Sequence, residues 1–230
     1  MLSPYFFEPT LPSSDEFILK EETSRHIAQV LRMKKGERIR ITNGNGQTIS
    51  AEIISPDNKK TKVKKTGEEI SAPEKPQTTI AVSLIKNTNR FEWFAEKATE
   101  IGISAIIPLI CKRSEKTHFR KERIRSILIS AMLQSQQSWL PEISEPVKFS
   151  DIIKESYEQR FIAHCLPEQK KELKDAPIKP GSKIILIGPE GDFTEEEIEL
   201  AIAKNYLPVS LGQTRLRTET AAIVSAVLLR

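Results

Sequence analysis

The chain has 230 residues, enough for one large domain or two small ones. Its 35 Lys and Arg against 31 Asp and Glu leave a net charge of +4, too mild to mark a nucleic-acid binder by itself. Hydrophobic residues at 38%, charged residues at 29%, nine Gly and fourteen Pro exclude collagen-like, coiled-coil and disordered classes.

The N-terminus, Met1 to Phe17, has no basic region followed by an apolar core, and no apolar run nears the ~20 residues of a membrane span. A cytoplasmic location without membrane association is expected. Residues 1–73 alternate in the manner of short strands at Tyr5–Phe7, Glu16–Leu19, Arg38–Thr42, Thr48–Ile54 and Lys60–Thr66, with Asn43-Gly44-Asn45-Gly46 and Pro56-Asp57-Asn58 as turns. That is a small β-barrel pattern. Ile27, Val30 and Leu31 form the apolar stripe of one helix over Thr23–Met33, closed by Gly36. The Pro-containing stretch Glu68–Gln77 reads as a linker, which divides the chain into 1–73 and 74–230.

The period then changes. A strand over Thr78–Ile85, a helix marked by Phe91, Phe94, Ala95, Ala98 and Ile101 before Gly102, and a strand over Ser104–Ile110 make a parallel βαβ unit. Helices over Lys121–Ser138 and Asp151–Tyr157 and strands over Phe161–Cys165 and Lys183–Ile187 complete an α/β second domain. Cys111 and Cys165 stand in separate apolar segments without CxxC or CxxH spacing; both read as reduced core residues.

Two segments carry chemistry. In the first, the strand Lys183–Ile187 runs into Gly188-Pro189-Glu190-Gly191, and a helix starts at Thr194 with Glu197 completing a capping box. Strand ends feeding Gly-rich turns are where α/β proteins bind ligands. Glu195, Glu196 and Glu197 crowd that helix start and would repel an anion, so this is no phosphate loop, and no GxGxxG supports a dinucleotide site. The second segment sets Leu211-Gly212 and two arginines before a Thr218-capped helix that is apolar nearly all round. Such a helix calls for burial on more than one side, within the chain or at a subunit interface. Arg217 and Glu219 read either as a local ion pair or as a substrate-facing pair.

Gly188-Pro189-Glu190-Gly191, Leu211-Gly212 and Leu216-Arg217-Thr218-Glu219-Thr220-Ala221 closely resemble the 16S ribosomal RNA uridine N3-methyltransferases of the SPOUT class. His26 with Val30-Leu31-Arg32 and Gly36, and Glu96–Gly102, match the same family. The resemblance implies an N-terminal PUA-like RNA-binding barrel (1–73), a C-terminal α/β SPOUT domain tied in a trefoil knot (74–230), S-adenosylmethionine as methyl donor, 16S rRNA or the small ribosomal subunit as partner, and a homodimer. It implies cofactor contacts at Leu186, Ile187, Gly188, Pro189, Glu190, Gly191, Leu211, Gly212, Leu216, Arg217, Thr218 and Thr220. Arg217 would stabilise charge on the base, while Glu219 or Glu190 accepts or relays the uracil proton.

Two positions depart from the family pattern. Asp192 replaces a second Gly and adds a side chain where the turn calls for φ > 0. The central helix keeps Gln134, Ser135 and Pro141 without the family's acidic and Arg positions.

Between Ile110 and Arg125 seven basic residues face two glutamates. RNA contacts are expected of Arg25, Arg32, Lys86, Arg90 and Arg113. No two of His26, His118 and His164 have ligand spacing, so no metal is expected. The alternatives are a non-catalytic RNA-binding protein and a SPOUT methyltransferase with another RNA target.

Overall fold

The computed structural model describes residues 3–73, 77–115, 118–167 and 170–230. The expected linker falls partly on 74–76 and the basic stretch includes Lys116, positions that lie outside the described residues. The chain forms two compact units. The first joins the N-terminal residues to Met132–Leu140; the second holds the remainder, so the units differ from a single cut at residue 74 in that one segment.

In the first unit, β1 (Tyr5–Phe7), β2 (Glu16–Ile18), β3 (Arg38–Thr42), β4 (Gln47–Ser55) and β5 (Lys62–Ile70) form a mixed, half-barrel sheet in the order β1-β3-β4-β5-β2. Alternation builds its core: Ile39, Ile41, Ile49, Ala51 and Ile53 point inward, joined by Phe6, Phe17 and Val63. Phe6 is core and meets the His26 ring edge-on at 5.8 Å. The expected Thr23–Met33 helix is a short α1 (Glu21–Arg25) followed by a π turn over His26–Val30. At 3.6 residues per turn Ile27, Val30 and Leu31 would share one face; the wider turn keeps Ile27 buried but leaves Val30 and Leu31 exposed. Met132–Leu140 belongs here through the Ser138 carbonyl, which accepts from Gly46 N–H at 2.9 Å, and through Trp139, whose indole N–H donates to the Ser71 carbonyl.

The second unit is an all-parallel sheet. Its strands are β6 (Thr78–Ser83), β7 (Ala105–Ile110), β8 (Glu142–Ile143), β9 (Val147–Lys148), β10 (Gln159–Ala163), β11 (Lys171–Glu172), β12 (Lys183–Ile187) and β13 (Leu207–Ser210), ordered β11-β13-β10-β12-β6-β7-β8, with β9 also on β7. Every residue of β6 and β12 is buried, as central parallel strands require. Helices are α2 (Thr88–Ile101), α3 (Lys121–Gln134), α4 (Phe149–Ile152), α5 (Glu195–Ala203) and α6 (Thr218–Leu229). Asn87 caps α2, which ends at Gly102 in the left-handed region, and Phe91, Phe94, Ala95 and Ala98 face the core. The helix expected over Asp151–Tyr157 is instead the single turn α4, and α3 stops at Gln134 before Gln136 at φ 56°.

Lys183 is fully buried at the start of β12 and donates to the Leu229 carbonyl at 2.8 Å, which also accepts from Thr78 at 3.0 Å. This closes the C-terminal end of α6. No helix among the described residues is long and apolar enough to cross a membrane.

Candidate functional site

In a parallel sheet the C-terminal strand ends share one edge. Here the ends of β10, β12 and β13 open on a cleft of about 720 Å³, lined by Ala163, Ile187, Val209 and Ser210 from the strands and by the loops that follow them. Nine of the twelve expected cofactor residues line it: Ile187, Gly188, Pro189, Glu190, Leu211, Gly212, Leu216, Arg217 and Thr218. Leu186 is sheet core, Gly191 packs on Arg113, and Thr220 lines a neighbouring cleft of about 610 Å³ with Asn89, Trp93 and Glu219. The two clefts share Arg90, Arg215, Leu216 and Arg217.

Local chemistry shapes the loop after β12. A Cβ on Gly188 would stand 3.1–3.2 Å from the Phe193 ring and backbone nitrogen, so only glycine fits without displacement. Asp192 sits at φ 63°, its N–H donating to the Pro189 carbonyl at 2.9 Å. Its Oδ1 accepts from Phe193 N–H at 2.8 Å and its Oδ2 from Cys165 N–H at 2.7 Å. Thr194 and Glu197 form the expected capping box of α5. Thr218 does not cap α6: Arg217 occupies the N-cap, and the Thr218 hydroxyl donates across to the Gly188 carbonyl at 3.1 Å. One side chain thus joins the two segments singled out in the sequence.

Arg217 and Glu219 are not an ion pair. Glu219 is buried, 8% exposed, and its partner is Arg90 of α2 at 3.6 Å, while Arg217 is exposed and reaches both clefts. Glu190 accepts from the Lys86 N–H at 3.1 Å.

The expected RNA contacts scatter. Arg25 pairs with Glu21 and Lys86 with Glu115; Arg113 donates to the carbonyls of Gly191 at 2.7 Å and Phe193 at 3.3 Å, so it braces the cleft loop. Arg32 is exposed at φ 53°. Within the basic stretch, Lys112 pairs with Glu196, Lys121 with Glu145 and Arg123 with Glu92, which leaves far less free positive charge than the residue count suggests.

Sequence reasoning missed the wall after β10. His164, Cys165, Leu166 and Lys170 line the cleft, and the Lys170 ammonium donates to the carbonyls of His164 at 2.7 Å and Leu166 at 2.5 Å. Cys165 is exposed rather than core, because β10 ends at Ala163. Cys111 is buried, its thiol pushed up to about 12, chiefly by burial and further by Glu197. The sequence marks the strand but not its neighbours; only the pairing, which aligns Ala163 with Ile187 and Val209, brings the residues after β10 to this cleft. No group of three or more His, Cys, Asp or Glu suited to a metal occurs among the described residues.

The half-barrel unit and the parallel α/β unit with a cleft at its strand ends are each matched by a family model of RNA methyltransferases. The model of the RNA methyltransferase domain matches residues 73–230, and that of the RNA methyltransferase PUA domain matches residues 19–66. Ribosomal RNA small subunit methyltransferase E of Rickettsia conorii is 33% identical, over 89% of this chain and 85% of its own. The crystal structure of a probable rRNA-methyltransferase from Porphyromonas gingivalis superposes with a TM-score of 0.90 at 36% identity, covering 97% of this chain and 95% of that one. Ribosomal RNA small subunit methyltransferase E of Neisseria gonorrhoeae, bound to S-adenosyl methionine, superposes at 0.88 with 26% identity, over 98% of this chain and 95% of that one. The chain belongs to the RNA methyltransferase family, among the ribosomal RNA small subunit methyltransferase E proteins.

Proposed function

We propose that the protein transfers the methyl group of S-adenosylmethionine to N3 of a uridine in 16S ribosomal RNA. The observation that carries this is the convergence of Gly188-Pro189-Glu190, Leu211-Gly212 and Leu216-Arg217-Thr218 on one cleft that meets a second, arginine-lined cleft. The first cleft suits this cofactor. Its walls are largely backbone loops, Gly188 keeps one of them free of a side chain, and the lining mixes the carboxylates of Glu190 and Asp192 with basic groups, which suits a cofactor that carries both a sulfonium and a carboxylate. When bound, the cofactor supplies an electrophilic methyl carried on a sulfonium.

The protein's part is positioning, proton removal and charge stabilisation. Uracil N3 holds a proton that must leave, and its loss puts negative charge on the base. Arg217, present in both clefts, stabilises that charge. Glu219, or Glu190 at the cofactor end, accepts or relays the proton. Exposed basic residues such as Arg32 contribute phosphate contacts, and residues 1–73 are the RNA-holding domain. The reading carries with it a cytoplasmic location and a homodimer.

The test is to incubate the protein with methyl-labelled S-adenosylmethionine and small ribosomal subunits or naked 16S RNA, and digest the RNA to nucleosides. Label in N3-methyluridine is the expected result. Label in another nucleoside overturns the target, and no label with RNA binding retained returns the protein to a non-catalytic role.

A further inference from the structure

We infer that Asp192 is a positioning residue for methyl transfer, whose carboxylate ties the loop after β10 to the loop after β12 and so presets the cleft that receives the cofactor. The inference rests on the proposed reading of that cleft as the S-adenosylmethionine site. Three observations converge. Asp192 occupies the left-handed region at φ 63°, where glycine sits without strain and a side chain is retained for what it does. Both its carboxylate oxygens are engaged, one by the neighbouring Phe193 N–H at 2.8 Å and one by Cys165 N–H at 2.7 Å in the other loop. Asp192 and Cys165 both line the cleft, so the bond lies in its wall.

Around this tie, other groups fix each loop separately. Lys170 holds the His164 and Leu166 carbonyls, and Arg113 holds those of Gly191 and Phe193. Of these side chains only Asp192 joins one loop to the other. Charge-assisted bonds from a carboxylate to backbone N–H groups are short and strong, and a cleft whose walls are already joined loses less freedom when a ligand enters.

A second consequence allows the closeness of the Asp192 carboxylate to Cys165 to be read without cofactor. Burial, and after it the Asp192 charge, holds the Cys165 thiol above its ordinary value, so removing that charge makes the thiol a better nucleophile. Cys111, buried and pushed up to about 12, chiefly by burial, contributes no comparable background.

The experiment compares wild type, Asp192→Gly and Asp192→Asn by calorimetric titration with S-adenosylmethionine, thermal melting, and iodoacetamide alkylation of Cys165 without cofactor. Glycine relieves the backbone strain while deleting the tie, so its Tm is expected to match wild type while cofactor affinity falls about tenfold. Asparagine keeps an acceptor oxygen and tolerates the left-handed region, and is expected to hold affinity within about threefold of wild type. Cys165 alkylates faster in both variants. Wild-type affinity in Asp192→Gly overturns the inference, as does a loss of Tm and affinity together that asparagine fails to rescue. Failure of the wild type itself to bind S-adenosylmethionine overturns instead the cofactor reading beneath it.

Discussion

A carboxylate taken out of water needs a compensating partner, and Glu219 finds Arg90 at 3.6 Å from a different helix. Under the proposed function this carboxylate is the group that takes the uracil proton. Glu219→Gln keeps the shape and deletes the basicity, so kcat for methyl transfer is expected to fall about a hundredfold or more with S-adenosylmethionine affinity unchanged. Single-turnover methyl transfer together with calorimetry checks this. Full activity would shift the proton to Glu190. Glu219 was legible in the sequence as a candidate, yet its partner was not. The chain offered Arg217 two positions away, and only the packing of α6 on α2 reveals that the neighbour in space is Arg90. Asp192 was legible for the opposite reason: a bulky residue in a glycine pattern announces an unusual backbone, and the backbone is indeed left-handed.

Elements with strong local signals were readable. The strands of the half-barrel alternate, α2 carries its cap and its Gly102 stop, and α5 carries a capping box. The π turn after α1 was not, since nothing in His26–Val30 marks the extra residue per turn. Nor was the closure of α6, which depends on the buried Lys183 donating to Leu229 across the sheet. Burial depresses that ammonium's pKa below the ordinary 10.5. The unfolded chain therefore binds the proton more readily, so stability rises with pH between the depressed value and 10.5. Lys183→Met is expected to lie within about 1 kcal/mol of wild type at neutral pH, because the lost hydrogen bond is offset by the removed charge. Wild type should then gain on the variant as pH climbs towards 10.5, in denaturant melts at a series of pH values.

At the scale of the molecule, α6 is the element whose surroundings matter most. Glu219, Ala222, Ser225, Ala226 and Leu229 are buried, but Val227 is 58% exposed on the same helix. The chain itself packs α6 against α2 and against β6 and β12, so the expected burial on more than one side is met, and Val227 is the position left for the proposed second copy of the chain to cover. Val227→Glu should convert a dimer into a monomer in light scattering without lowering Tm by more than a few degrees; an unchanged mass would place the dimer contact elsewhere. Domain order and the parallel character of the second unit were visible in the change of hydrophobic period after residue 77. Strand order was not, because it is decided by which long-range pairs bury the most surface.

That order governs how the molecule comes into being. Strand β6 pairs with β7 soon after both are made, but its other neighbour is β12, in a register that sets Thr78 beside Lys183. Six residues that end fully buried must therefore wait, one edge unpaired, while most of the second unit is still being synthesised. Loop closure over such a distance is slow, and an open apolar strand edge is what other chains stick to. Refolding from denaturant should then be slow and sensitive to protein concentration, and the newborn chain is a natural client for a chaperone until its final third has emerged.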